Sequence, residues 1–259
     1  MTVSFFSDGL ALGDRIARAP HVLLGLDYDG TLTRIVDDPT QATLSTPMRR
    51  VLWSLAMRRG VSLAIVSGRS YKDLHTRIGL GSAIYAGNHG LEIRGPDFDF
   101  IEPAAAIHSE AINEIAADLR HRLRHIPGVI VEDKGLTLSV HYRRVAPIDS
   151  EEVWHTVLAL VNNAEQLLHL TMGNKVYEIR PHLRWHKGSA MHWIRQHFGK
   201  ADTMTFYLGD DTTDEDAFTT LTDAITIKVG ANSDTAARYR LIDPDEVQHF
   251  LAWVDNLRS

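Results

Sequence analysis

The chain of 259 residues has no cysteine, which excludes a disulfide framework and any thiolate-bound metal. A reducing compartment suits such a chain. No block of five or more basic residues occurs and the formal net charge is −6, which argues against a nucleic-acid partner held by phosphate neutralisation. No apolar run approaches the roughly 20 residues that a membrane helix requires. Residues Met1 to Leu12 lack the basic flank and long apolar stretch of a signal peptide, so a cytoplasmic location with no membrane partner is expected. Internal repeats and low-complexity tracts are absent as well. What remains is ordinary for a globular protein: 44% hydrophobic and 23% charged residues, enough for one large α/β domain or two small ones.

Apolar runs alternate with helical patterns at both ends of the chain. Val22–Leu26, Val61–Val66, Ser82–Ala86, Met204–Leu208 and Ile225–Val229 read as strands. Between the first two, Thr46–Arg59 has helical spacing, with Thr46-Pro47 at its start. Strands that are apolar throughout and separated by helices predict an α/β fold with a Rossmann-like parallel sheet covered on both faces. The middle differs. Ala104–His125 is helical in pattern, and the run from Leu136 to Arg143 then alternates apolar and polar residues. Ser150–Leu167 returns to helix, and Leu168–Thr171 and Lys175–Ile179, joined by Met172-Gly173-Asn174, resemble a hairpin. An inserted α+β domain of αββαββ order is therefore expected at 104-180, between core segments 1-103 and 181-259.

Three of the predicted strands end in residues able to do chemistry, where open parallel sheets bind ligands. The first runs into Asp27-Tyr28-Asp29-Gly30-Thr31. Two carboxylates held that close repel each other and lose hydration, which a hard divalent cation with a preference for oxygen would offset. The second ends in Ser67-Gly68-Arg69 and the fourth in Gly209-Asp210-Asp211. Five acids fall between Asp210 and Asp216; acids suit a helix N-terminus, but Asp210 directly follows an apolar strand and a glycine. Lys187, followed by Gly188-Ser189 and a helix, offers a positive charge. His121 and His125 have helical i, i+4 spacing, yet lie just before Pro127, where a helix C-terminus favours cationic side chains over a zinc site. Trp185, Trp193 and Trp253 are expected to be packing residues.

Asp27, Ser67, Lys187 and Asp210 occur in the order of the four motifs of the haloacid-dehalogenase-like phosphatases. Longer segments narrow the likeness. Leu26–Thr33, Ile65–Arg69, Tyr85–Ile93, Glu132–Arg143, Tyr177–Pro181 and Gly209–Phe218 together resemble the trehalose-6-phosphate phosphatase family, over nearly the whole chain. The resemblance implies that Asp27 attacks phosphorus and carries an aspartyl phosphate, while Asp29 serves as acid and then base. It implies a Mg²⁺ ion held by Asp27, Asp29 (through its backbone carbonyl) and Asp210, with Asp211 and Asp214 as further or more distant ligands. Ser67 and Lys187 would hold the phosphate. Glu132, Lys134 and Glu178 match positions used to hold the disaccharide, and Arg69, Asn88 and His89 would line the approach from the core.

The implied substrate is a small sugar phosphate, trehalose 6-phosphate, supplied by a separate synthase. Two alternatives stay open: a sibling phosphatase acting on sucrose phosphate or mannosyl-phosphoglycerate, and a non-catalytic sugar-phosphate sensor, which would be free to lose an acid or the lysine.

Overall fold

A computed structural model describes residues 3–173, 175–231 and 234–259. The chain divides into two compact units, Met1–Phe100 with Trp185–Ser259, and Ile101–Arg184. In chain order the strands are β1 (Val3–Ser4), β2 (His21–Leu26), β3 (Val61–Val66), β4 (Ile84–Gly87), β5 (Glu92–Gly95), β6 (Phe98–Ile101), β7 (Ile130–Asp133), β8 (Leu138–His141), β9 (Leu168–Gly173), β10 (Val176–Pro181), β11 (Thr203–Gly209), β12 (Ile225–Val229) and β13 (Tyr239–Leu241).

In the first unit, the sheet has the order β1-β13-β12-β11-β2-β3-β4-β5-β6. Pairing is parallel from β1 through β4, and β5 returns antiparallel to β4. The period of two along each strand sends side chains to opposite faces. Leu24, Leu26, Leu63, Ile65, Phe206 and Leu208 enter one cluster, with helices Thr46–Met57 and Pro244–Leu257 over it. Leu23, Ala64, Val66 and Tyr207 enter a second, under helices Lys187–Phe198 and Thr212–Thr220. Burial on both faces explains why these strands read as continuous apolar runs.

The chain crosses from β2 to β3 and β4 on one side, and later from β11 to β12 and β13 on the other. The carboxyl ends of β2 and β11 therefore flank the point where the winding reverses, the crevice where such sheets bind ligands.

The second unit holds an antiparallel sheet of order β7-β8-β10-β9. One face buries Leu138, Val140, Tyr177 and Ile179 against Ile112, Leu119, Val153 and Val157 of helices Ser109–Arg122 and Ser150–Asn162. The helical pattern from Ala104 is broken: Pro103–Ile107 and Ser109–Arg122 are separate helices on either side of His108. Of the expected hairpin turn Met172-Gly173-Asn174, Asn174 lies outside the described residues. Among the described residues, no helix is long and apolar enough to cross a membrane.

Candidate active site

The Asp27–Thr31 turn begins where β2 leaves the sheet, and the Asp27 amide donates to the Leu208 carbonyl of β11 at 2.9 Å. Residues Leu26 and Leu208 are register partners, so Asp27 and Asp210 emerge side by side. Contact between them requires Gly30. Its φ is +79°, and a Cβ there would stand 1.9 Å from the Asp210 carboxylate. Any side chain would both strain the backbone and expel Asp210.

Carboxylate oxygens of Asp27, Asp210 and Asp214 lie within 4.8 Å of one another. Lys187, the first residue of its helix and only 3% exposed, puts its ammonium 2.8 Å from Asp27 Oδ1 and 2.9 Å from Asp214 Oδ1. Burial would lower the lysine's pKa, but Asp214 and Asp27 outweigh it and raise it, so the lysine stays charged. One cation does not balance three carboxylates, Asp27 and Asp214 buried and Asp210 half-buried. Burial, reinforced by Asp214 and Asp210, pushes the Asp27 carboxyl well above its usual range despite Lys187. Burial and then Asp214 push Asp210 up to about 7. An all-oxygen donor set with an excess of negative charge fits a hard divalent cation.

The expected ligands separate into distinct roles. Asp214 is fully buried, and its carboxylate already accepts from Lys187, from the Tyr207 hydroxyl at 2.7 Å and from the Asp211 amide at 2.9 Å. Asp211, expected as a further or more distant ligand, is not among the three grouped carboxylates. Its exposed side chain caps the helix Thr212–Thr220, accepting from the Thr212 amide at 2.5 Å. A capping box with Asp214 fixes both residues locally, so Asp211 is turned toward its own helix.

Asp29 keeps its carboxylate out of the cluster. Arg69 grips it with two bonds, Nε to Oδ2 at 2.6 Å and Nη2 to Oδ1 at 2.7 Å. The same guanidinium donates to Asp73 at 2.6 Å and to the Pro39 carbonyl at 2.8 Å. Arg69, expected to line the sugar approach, is thus largely occupied in aiming Asp29. Ser67 is buried at the end of β3, and its hydroxyl accepts from the Arg69 amide at 3.2 Å. Asn88 is also spent internally: buried, with φ of 51°, it donates to Glu92 Oε1 at 2.7 Å. His89, with φ of 58°, is buried close over Gly68. Two adjacent residues in the left-handed region turn the chain sharply after β4.

In the second unit, the face of the sheet opposite the helices gathers Glu132, Lys134 and Glu178. Strand register aligns Glu132, Ser139, Glu178 and Thr171 in one row. Lys134 Nζ lies 3.6 Å from Glu178, the Ser139 hydroxyl donates to Glu178 at 3.4 Å, and His141 meets Glu132 at 2.9 Å. His121 and His125 pair with Arg124 and Glu152 respectively. Trp185 donates its indole N–H to the Gly90 carbonyl and packs on Phe100, and Trp193 stacks on Phe100.

Three participants escape a reading of the sequence. Tyr207 sits in an apolar strand; Glu92, which accepts from Asn88 and the Tyr71 amide, follows a turn; Lys228, buried in β12, donates to the Asp210 carbonyl at 2.6 Å. A lysine inside a strand with no other charged residue was the one available signal, since a buried ammonium demands acceptors.

The parallel sheet thus carries an aspartate cluster and a buried lysine at its switch point. The fold matches that of a "haloacid dehalogenase-like hydrolase" from Bacteroides thetaiotaomicron, with a TM-score of 0.64, 16% identity and coverage of 90% of this chain and 98% of that one. It matches the C-terminal domain of C. albicans trehalose-6-phosphate phosphatase more closely, with a TM-score of 0.82 at 23% identity over 99% and 98% of the two chains. The sequence model of the trehalose-phosphatase family matches residues 25–245. The chain belongs to that family. It is 40% identical to a trehalose-phosphate phosphatase of Mycobacterium tuberculosis over 93% of its own length, and spans 62% of that relative.

Proposed function

We propose that this chain is a cytoplasmic Mg²⁺-dependent phosphatase that hydrolyses trehalose 6-phosphate to trehalose and phosphate, working on the product of a separate synthase. One observation carries it: Asp27, Asp210, Asp214 and Lys187 converge at the sheet's switch point in a chain of the trehalose-phosphatase family.

Asp27 attacks phosphorus in line, forming an aspartyl phosphate as the bond to the sugar oxygen breaks. Asp29 gives that oxygen a proton. Water then attacks the same phosphorus, yielding its proton to Asp29, and phosphate leaves with Asp27 restored. Arg69 donates one N–H to each oxygen of Asp29, which leaves each oxygen a second lone pair through which a proton can pass. Lys187 lies within 2.8 Å of the nucleophile and offsets charge that would otherwise repel a phosphate dianion. Asp27, Asp210 and the Asp29 carbonyl would hold the Mg²⁺, which when bound supplies Lewis-acid stabilisation for the phosphoryl oxygens. Ser67 would hold phosphate oxygens. The unit Ile101–Arg184 serves as the sugar-recognition insertion, with Glu132, Lys134 and Glu178 as its contacts; carboxylates accept paired hydrogen bonds from sugar hydroxyls.

Phosphate release is the test, measured over a panel of trehalose 6-phosphate, sucrose 6-phosphate and a small aryl phosphate, with and without chelator. Trehalose 6-phosphate should turn over fastest, chelator should abolish turnover, and Glu178→Ala should depress the disaccharide far more than the aryl ester. Faster hydrolysis of sucrose 6-phosphate would replace the substrate, and equal losses on both esters would remove Glu178 from sugar recognition.

A further inference from the structure

Gly25 lies in the middle of β2, where a glycine weakens a strand and marks a close approach by something else. The register places it directly opposite Tyr207 of β11. A Cβ at residue 25 would stand 2.8 Å from the Tyr207 ring and 2.6 Å from the Met191 methyl. The missing side chain is therefore room for a phenol. The ring also meets Phe218, edge to face, with centroids 5.9 Å apart. Tyr207 is wholly buried, so its hydroxyl has no water to turn to, and it donates to Asp214 Oδ1 at 2.7 Å.

That same oxygen receives the Lys187 ammonium at 2.9 Å, and the ammonium reaches Asp27 at 2.8 Å. Asp214 Oδ2 is taken by the Asp211 amide at 2.9 Å. The carboxylate thus has a fixed orientation with two donors sharing one oxygen. Removing the phenol would leave Lys187 as the sole donor to Asp214 Oδ1. The ammonium would be drawn toward Asp214 and away from Asp27.

We propose that Tyr207 is a positioning residue for phosphoryl transfer: its hydroxyl, seated over Gly25, sets Asp214 so that Lys187 is shared with the nucleophile Asp27. It touches neither substrate nor the reacting atoms, and its role rests on the phosphatase reading above.

Tyr207→Phe tests it, since the ring and its packing are retained. The expected result is a fall in kcat of about tenfold, one strained or lost charge-assisted hydrogen bond, with KM within twofold. The fall should be equal on trehalose 6-phosphate and on a small aryl phosphate, because the defect lies at the phosphoryl end. A purely structural tyrosine would shift Tm and leave kcat per folded molecule unchanged. In an Asp214→Asn background, Tyr207→Phe should cost less than twofold, the two changes acting through one oxygen. Gly25→Ala, which displaces the ring, should reproduce the kcat loss. Tyr207→Phe with kcat within twofold of the unsubstituted enzyme overturns the role, as does a loss that persists undiminished beside Asp214→Asn. No turnover by the unsubstituted protein would overturn the phosphatase reading and this role together; turnover with an unaffected Tyr207→Phe overturns only this role.

Discussion

Asp27 and Lys187 are bonded to each other at 2.8 Å, yet their removal should have opposite consequences. Asp27 adds a negative charge to a cluster that already holds too many, as its raised pKa reports. Asp27→Asn removes that charge and keeps an oxygen for Lys187, so the fold should survive with stability within about 1 kcal/mol of the parent or above it. Activity should fall by about 10³-fold or more, because an amide cannot act as the nucleophile. Lys187→Met instead leaves Asp27 and Asp214 buried without their cation, which should cost about 3–5 kcal/mol. Urea unfolding read beside phosphate release separates the two. Residual activity of Asp27→Asn within tenfold would exclude it as nucleophile, and an undiminished unfolding midpoint for Lys187→Met would show that the cluster does not depend on the lysine.

At the scale of elements, the helices Thr46–Met57 and Pro244–Leu257 share one face of the sheet and are pinned by Asp255. It accepts from Arg58 at 2.6 Å and from Ser54 at 2.7 Å. The Arg58 bond, partly opposed by burial, holds Asp255 below the usual carboxylate range. A carboxyl with its folded pKa below its unfolded one contributes above about pH 4 and loses that contribution as the pH falls through the folded value. Stability should therefore decline with acid below about pH 4. Asp255→Asn should lower stability at pH 7 and make the acid slope shallower; an unchanged slope in urea titrations at pH 3 to 5 would count against the ion pair. The central strands of the large sheet were legible from sequence because burial on both faces left an apolar run, and Val61–Val66 and Ile225–Val229 have the expected bounds. The hairpin β5–β6 and the short strands β1 and β13 were not. Glu92, Arg94, Asp97 and Asp99 interrupt any apolar run, and a strand of two or three residues carries too little period to read. The same logic divides the site. Asp27, Ser67, Lys187 and Asp210 stand at element ends, where polar residues break a pattern, whereas Tyr207 is hidden among apolar neighbours. The internal pairing of Arg69 with Asp29 and the capping by Asp211 depend on residues that meet only after folding.

At the scale of the whole molecule, each of the two units has its own hydrophobic clusters among the described residues. Ile112, Leu119, Val157 and Tyr177 form a cluster drawn from the unit Ile101–Arg184, while both clusters on the large sheet come from the other. The aspartate cluster and Lys187 also belong entirely to that larger unit. A cation that binds only the folded site stabilises whatever unfolds with it, by about 2.7 kcal/mol at a concentration a hundredfold above Kd. With separate cores, that gain should stay where the carboxylates are. Hydrogen exchange at neutral pH, with and without millimolar Mg²⁺, should show slower exchange in β2, β3 and β11, and no change in β8 and β10. A like gain in β8 and β10 would mean that the two units unfold as one. Unchanged exchange in β2 and β11 would mean that the carboxylates gathered around Gly30 do not bind the ion at that concentration.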